Sequence, residues 1–216
     1  MTARTDIERG ADMPPAFSPR EKARITDLLL GSGEALFTAR GLRKTSLEDL
    51  VAPAGIAKSS FYVFFDSKEA LYLELMLRRM ADVKRRVIDE ALTTTDDTEE
   101  ALRRFLRATL EVLDTDPLYR RLMTHPEEMD AVLRKADPAR LEGFPDNPVN
   151  ALNAFVTAGL EGGELVPAPL AAVVGVIQTV MLLPMNADRL AAPDSYEQTL
   201  DLLIDIVARG LTARRE

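Results

Sequence analysis

Apolar residues recur along most of the chain at intervals of three and four, and no stretch alternates with the period of two that a half-buried strand shows. The pattern therefore predicts helices throughout. The first apolar face is Ile25, Leu28, Leu29, Leu36 and Phe37. It opens on Ser18-Pro19-Arg20-Glu21, where Ser18 can cap, Pro19 suits the first helical position and Glu21 completes a capping box. Gly41 is placed to end this helix as a left-handed cap. Gly31 and Gly33 each cost about 1 kcal/mol relative to alanine inside a helix, which points to the close approach of a neighbour. A second capping box, Thr45-Ser46-Leu47-Glu48, starts a short helix with Leu47, Leu50 and Val51 inward. Pro53 removes a backbone donor near its end and bends or shortens it. A tight turn at Ala54-Gly55-Ile56 leads to a third short helix over 57–65. Asp66-Ser67 then opens a long fourth helix through Leu71, Leu75, Val83, Val87 and Leu92.

Further helices are predicted near 97–114, 117–123, 126–136, 147–162, 167–184 and 194–213, with proline or glycine at most joints. Residues 1–17 are polar and read as a flexible arm. The longest apolar run, 170–185, is about 24 Å long as a helix, which is short for a membrane span. It reads instead as a buried core or interface helix. The last helix carries Tyr196, Leu200, Leu203, Ile204, Val207 and Leu211, widened by Leu202 and Ile206. Two adjacent helices this apolar need more cover than one small domain supplies, so a homodimer built on the last two helices is expected.

Composition narrows the chemistry. The 216 residues include no cysteine and one histidine, His125, which excludes a disulfide framework and a thiolate zinc site. Absent cysteine and an N-terminus without an apolar signal core fit a cytoplasmic protein with no membrane segment. The net charge of −8 is unevenly spread: residues 1–68 hold ten basic and nine acidic side chains, residues 69–216 hold 17 and 26. Between Arg40 and Tyr62 there are four basic and two acidic residues, a mild positive bias. No GxSxG, P-loop or HExxH motif is present, and Gly159, Gly162 and Gly163 lack the preceding strand of a dinucleotide site. The paired carboxylates Glu127-Glu128 and Asp96-Asp97 read as solvated loop or cap residues. Neither enzyme chemistry nor a cofactor or metal is expected.

Residues 45–66 carry the sharpest signal. Two short helices joined by a glycine-containing turn make a helix-turn-helix, in which the second helix enters the major groove of DNA. The string TSLEDLVAPAGIAKSSFYVFFDSKEALY resembles the DNA-binding signature of the TetR family, through Thr45, Leu47, Leu50, Ala54-Gly55-Ile56, Lys58, Phe61-Tyr62, Phe65 and Ser67-Lys68-Glu69. The resemblance covers about residues 20–75; beyond them only the helical plan matches. With Ile56, Phe61 and Phe65 inward, Lys58, Ser59, Ser60, Tyr62 and Val63 are expected on the outer surface, where lysine and serine can meet bases or phosphates and Val63 a thymine methyl. Thr45 and Lys68 at helix starts are expected to serve as phosphate contacts, with Arg43 and Lys44 adding charge. Ala57, Val63, Phe64 and Pro53 depart from the family pattern: Ala57 lacks the serine hydroxyl that often reaches phosphate, Val63 and Phe64 replace more polar residues, and Pro53 bends or shortens the second helix.

The expected architecture is thus all-α, with about nine helices. An N-terminal three-helix helix-turn-helix DNA-binding domain at 18–66 follows the arm at 1–17, and a larger helical ligand-binding and dimerisation domain occupies 67–216. The resemblance implies a dimeric, ligand-responsive transcriptional regulator. Its partners would be a double-stranded DNA operator and a small, mostly apolar effector, and repression is the expected mode. The other reading of the residues is a helical interaction protein whose helix-turn-helix is impaired. Candidate pocket residues are Met76, Met80, Phe105, Leu106, Met123 and Phe144, with Phe155, Gln178, Met181 and Met185, because helical-domain pockets are mainly apolar with a few polar groups.

Overall fold

A computed structural model describes residues 17–135, 147–186 and 195–213, the last two residues of the middle segment by backbone alone. These residues form nine α-helices: α1 (Pro19–Lys44), α2 (Leu47–Val51), α3 (Lys68–Lys84), α4 (Thr98–Thr115), α5 (Pro117–Thr124), α6 (Pro126–Leu133), α7 (Pro148–Glu161), α8 (Leu170–Met181) and α9 (Tyr196–Leu211). A 3₁₀ turn at Ala52–Ala54 and a 3₁₀ helix at Lys58–Val63 stand between α2 and α3. Four of these helices, α1, α5, α6 and α7, begin at a proline, which needs no intrahelical donor there.

Local chemistry sets the ends. The Ser18 hydroxyl accepts from the Glu21 amide at 3.3 Å, and the Glu21 carboxylate accepts from the Ser18 amide at 2.9 Å, which is the predicted capping box. Gly41 has φ 79° and ψ 170°, so it makes an extended corner rather than the expected left-handed helical cap, and one further turn runs to Lys44. Only glycine fits this corner: an added Cβ would lie 2.1 Å from Arg121 Nη2 and 2.2 Å from Glu128 Oε1. The corner draws Thr45 inward, where its hydroxyl donates to the Gly41 carbonyl at 2.8 Å. Ser46 therefore caps α2, accepting from the Asp49 amide at 3.2 Å, one residue later than the sequence suggested. Gly33 marks a true close approach, since a Cβ there would meet Leu71 and Leu75 at 3.1 Å; Gly31 faces open space.

The fourth predicted helix is α3 continued through a π-helical stretch, Arg85–Leu92, in which hydrogen bonds lengthen by one residue. One continuous apolar core runs from Ile25 through Phe37, Phe61, Leu71, Leu106 and Val156 to Leu211. The end of α9 is tied back by hydrogen bonds from the Val166 amide to the Leu211 carbonyl at 2.9 Å and from the Ala213 amide to the Glu164 carbonyl at 2.8 Å. Arg103 on α4 also binds Asp205 on α9 at 2.7 Å. No helix among the described residues is long and apolar enough to cross a membrane.

Candidate nucleic-acid interface and internal cavity

The helix-turn-helix is assembled from α2, the turn at Gly55 and the 3₁₀ helix Lys58–Val63. Gly55 has φ 65°, the left-handed conformation such a tight turn needs. The Ser32 hydroxyl donates to the Leu50 carbonyl at 2.9 Å and fastens α2 to α1. Phe61 is fully buried, and its ring meets those of Tyr62 and Phe65, each at 5.9 Å between centroids. The Ser60 amide donates to the Ala57 carbonyl and the Phe64 amide to the Phe61 carbonyl, both at 2.9 Å, the three-residue spacing of 3₁₀ turns. The element is therefore tighter than the predicted α-helix, while its inward anchor is the predicted one.

The outer face presents Lys58 and Ser59, both exposed, with Tyr62 and Val63 at 56% and 57% exposure and Ser60 half-buried. Arg43 and Lys44 are exposed at the end of α1. Lys58 Nζ lies 2.7 Å from Glu48 Oε1, an exposed ion pair. Two expected contacts are placed differently. Thr45 is buried, so the hydroxyl offered at the start of α2 belongs to Ser46. Lys68 Nζ donates to the carbonyls of Leu42 and Thr45, both at 2.8 Å, and so closes the end of α1 rather than standing free at the start of α3.

A cavity of about 550 Å³ lies between α3, α4, α5, α6, α7 and α8, within the usual range for small-molecule sites. Met76, Met80, Phe105, Met123, Gln178 and Met181 line it, all of them sequence candidates. Leu106 packs into the core, and Phe155 lies partly buried against that core, outside the lining. Phe144 lies outside the described residues, as does the side chain of Met185. The lining also holds residues the sequence reading missed, chiefly Thr109, Tyr119, Met129, Asn147 and Asn150. The π-helical stretch contributes Val87. Met123, Leu133, Val149 and Leu182, at 38%, 40%, 50% and 52% exposure, form the rim.

α5 joins the two regions. Tyr119 and Met123 face the cavity, while Asp116 and Arg121 face α1 and α3. Asp116 caps α5 by accepting from the Tyr119 amide at 3.0 Å, and it pairs with Arg79 of α3 at 3.1 Å. The same Arg79 guanidinium holds Glu34 of α1. At the other end of α5, Arg121 binds Glu128 of α6, whose carboxylate also accepts from the Tyr72 hydroxyl at 3.1 Å and the Leu42 amide at 3.2 Å. Glu128 is 9% exposed, which overturns its reading as a solvated carboxylate: four donors compensate its burial. Burial and the Glu128 charge push the Tyr72 phenol well up, so it stays a proton donor. His125, at the α5–α6 joint, lies within 2.8 Å of the Thr124 hydroxyl through Nδ1 and does not reach the cavity lining.

A second apolar surface covers α8 and α9. Leu170 and Val176 on α8 and Leu202 and Ile206 on α9 are exposed, the last two at 63% and 58%. Leu202, Ile206 and Gly210 fall four residues apart on one stripe.

Residues 29–75 match the family of bacterial regulatory proteins of the tetR type. The chain is 33% identical over 102 residues to the transcriptional repressor KstR2 of Rhodococcus jostii, a match covering 47% of this chain and 46% of that protein. The matched segment thus spans about half the length of that relative. Among solved structures, a TetR family regulator from Marinobacter aquaeolei is 18% identical, with a TM-score of 0.64 over 91% of this chain and all of the other. FadR of Bacillus subtilis, solved with stearoyl-CoA, is 14% identical, with a TM-score of 0.59 over 86% of this chain and 98% of its own. Both structures share the all-helical fold. Residues 29–75 thus carry the helix-turn-helix of the tetR family of bacterial regulatory proteins, set on the all-helical fold of those solved regulators.

Proposed function

We propose that the protein is a ligand-responsive repressor that binds a palindromic operator as a dimer. Residues 18–66 act as the DNA-binding unit, and residues 67–216 as the ligand-binding and dimerisation unit. TetR-family regulators bind DNA as dimers and respond to small molecules, which supports the general scheme. The observation that carries the specific reading is the outward set Lys58, Ser59, Tyr62 and Val63 on the second element of the helix-turn-helix, flanked by Arg43, Lys44 and the Ser46 hydroxyl. Two such faces about 34–36 Å apart read successive major grooves. Pairing of the exposed α8–α9 surface with its copy provides the two-fold axis. The internal cavity receives the effector. α5 carries the response, because a displacement of Tyr119 or Met123 moves Asp116 and Arg121, which hold α1 and α3. Operator and effector then oppose each other by the same factor in either order of addition.

The test is fluorescence anisotropy with DNA from upstream of the protein's own gene, over a salt series, beside a scrambled duplex. Specific binding near 10⁻⁸ M or tighter, with a steep salt slope, is the expected result. Absence of binding to either duplex at low salt would favour instead the helical interaction protein, with Pro53, Ala57 and Phe64 as the causes.

A further inference from the structure

The chemistry of the cavity wall selects among effectors, given the reading above that the cavity is an effector site. Among the described lining residues none carries a formal charge. Five of the chain's eight methionines are there, Met76, Met80, Met123, Met129 and Met181. Methionine supplies a polarisable, adaptable surface for apolar matter. An ionised group drawn into such a wall would exchange its hydration for a few neutral hydrogen bonds and no described counter-charge, a cost of several kcal/mol. Behind the wall, the Asp116 carboxylate beside Tyr119 is paired with Arg79.

The polar part of the wall is specific. The Thr109 hydroxyl is already spent on the Phe105 carbonyl at 2.8 Å, and Asn147 Oδ1 on the Val149 amide at 2.9 Å. The Tyr119 hydroxyl donates to no described group, although the residue is only 4% exposed. Burial, with the Asp116 charge, pushes its pKa up to about 12, so it is protonated throughout the physiological range. The hydroxyl opens onto the cavity, where it is free to donate to a bound acceptor.

We infer that the cavity takes an uncharged, predominantly apolar molecule bearing a carbonyl or ether oxygen, and that Tyr119 donates the hydrogen bond that orients it. The full-length protein should be titrated calorimetrically at pH 8 with 2-decanone and with decanoate, probes of equal carbon number. The Tyr119→Phe, Met129→Trp and Met129→Leu variants are titrated in parallel, with circular dichroism confirming that each is folded. The expected result is ketone binding about 100-fold tighter than decanoate. Tyr119→Phe should weaken the ketone roughly 3- to 12-fold, the share of one hydrogen bond. Met129→Trp should abolish ketone binding by filling the cavity, and Met129→Leu should preserve it. Decanoate binding as tightly as the ketone, and lost in Met129→Trp, would overturn the uncharged class while leaving the cavity as an effector site. Ketone affinity unchanged in Tyr119→Phe would overturn the role of Tyr119. Binding of neither probe, or binding indifferent to Met129→Trp, would remove the effector cavity itself and the inference with it.

Discussion

Arg121 clasps Glu128 in a two-point grip, Nε to Oε2 at 3.0 Å and Nη2 to Oε1 at 2.7 Å, directly beneath the corner that Gly41 makes at the end of α1. The pair is mostly shielded from solvent, with side-chain exposures of 18% and 10%. Removing one partner therefore leaves the other charged and dehydrated. Glu128→Gln is expected to cost about 3 kcal/mol in urea unfolding, near the low end for broken buried pairs because Arg121 keeps some contact with water. A double variant replacing both residues with methionine should recover much of this loss, and a double-mutant cycle measures the coupling.

The same carboxylate predicts a pH dependence. Burial alone pushes the Glu128 carboxyl up, but the Arg121 guanidinium, the Tyr72 hydroxyl and the Leu42 amide outweigh burial and hold it below its ordinary value of 4.5. A carboxyl with a lower pKa folded than unfolded contributes stability that is fully present above the unfolded value and lost as pH falls through the folded one. Stability should therefore drop as pH falls below about 4.5, and Glu128→Gln should show a shallower acid slope in the same urea titrations.

Gly41→Ala combines a backbone problem with a steric one. The positive φ disfavours any side chain, and the new methyl would enter the Arg121–Glu128 contact. A loss of about 2–4 kcal/mol is expected in equilibrium unfolding. Gly31→Ala, which meets open space in a helix, should stabilise slightly and serves as the control.

Lys58→Ala should lower operator affinity and reduce the slope of log affinity against log salt by about one, the signature of one lost phosphate contact. Its partner Glu48 and Lys58 itself are both exposed, so thermal stability should not change measurably. Tyr62→Ala should instead reduce discrimination between operator and scrambled DNA with little change in salt slope, if Tyr62 meets bases and sugar rather than phosphate.

Leu202→Asp with Ile206→Asp places two charges on the exposed stripe of α9 without touching the monomer core. Sedimentation at micromolar concentration should show a monomer for this variant and a dimer for the parent chain. Operator affinity should fall with it, because a single half-site contact replaces two.

The helix-turn-helix was legible because several independent signals coincide within it: a hydroxyl cap, an apolar triplet, a glycine turn and spaced aromatics. The choice between Thr45 and Ser46 was not, since both carry hydroxyls and only the Gly41 corner draws one of them inward. Glu128 shows the limit most clearly. Beside Glu127 and Pro126 it reads as surface, and its burial depends on the Leu42 amide, 86 residues away in sequence. In the cavity, methionine and glutamine candidates could be picked by type, whereas Phe105 and Leu106 are neighbours of similar character. Helical phase alone sends one to the cavity and the other to the core. Tyr119 was missed because a tyrosine just after a helix-capping aspartate gives no sign of which way its hydroxyl goes.

Lys68 neutralises the two carbonyls that end α1 and begin the link to α2, at Leu42 and Thr45. Helix C-termini carry partial negative charge, and this one lies beside Arg43 and Lys44. Left open, it would repel the polyanion that the two neighbouring cations attract. By offsetting that local dipole, Lys68 raises the positive potential around Arg43 and Lys44, so its replacement by methionine should weaken DNA binding through long-range repulsion, whatever contact its own ammonium makes.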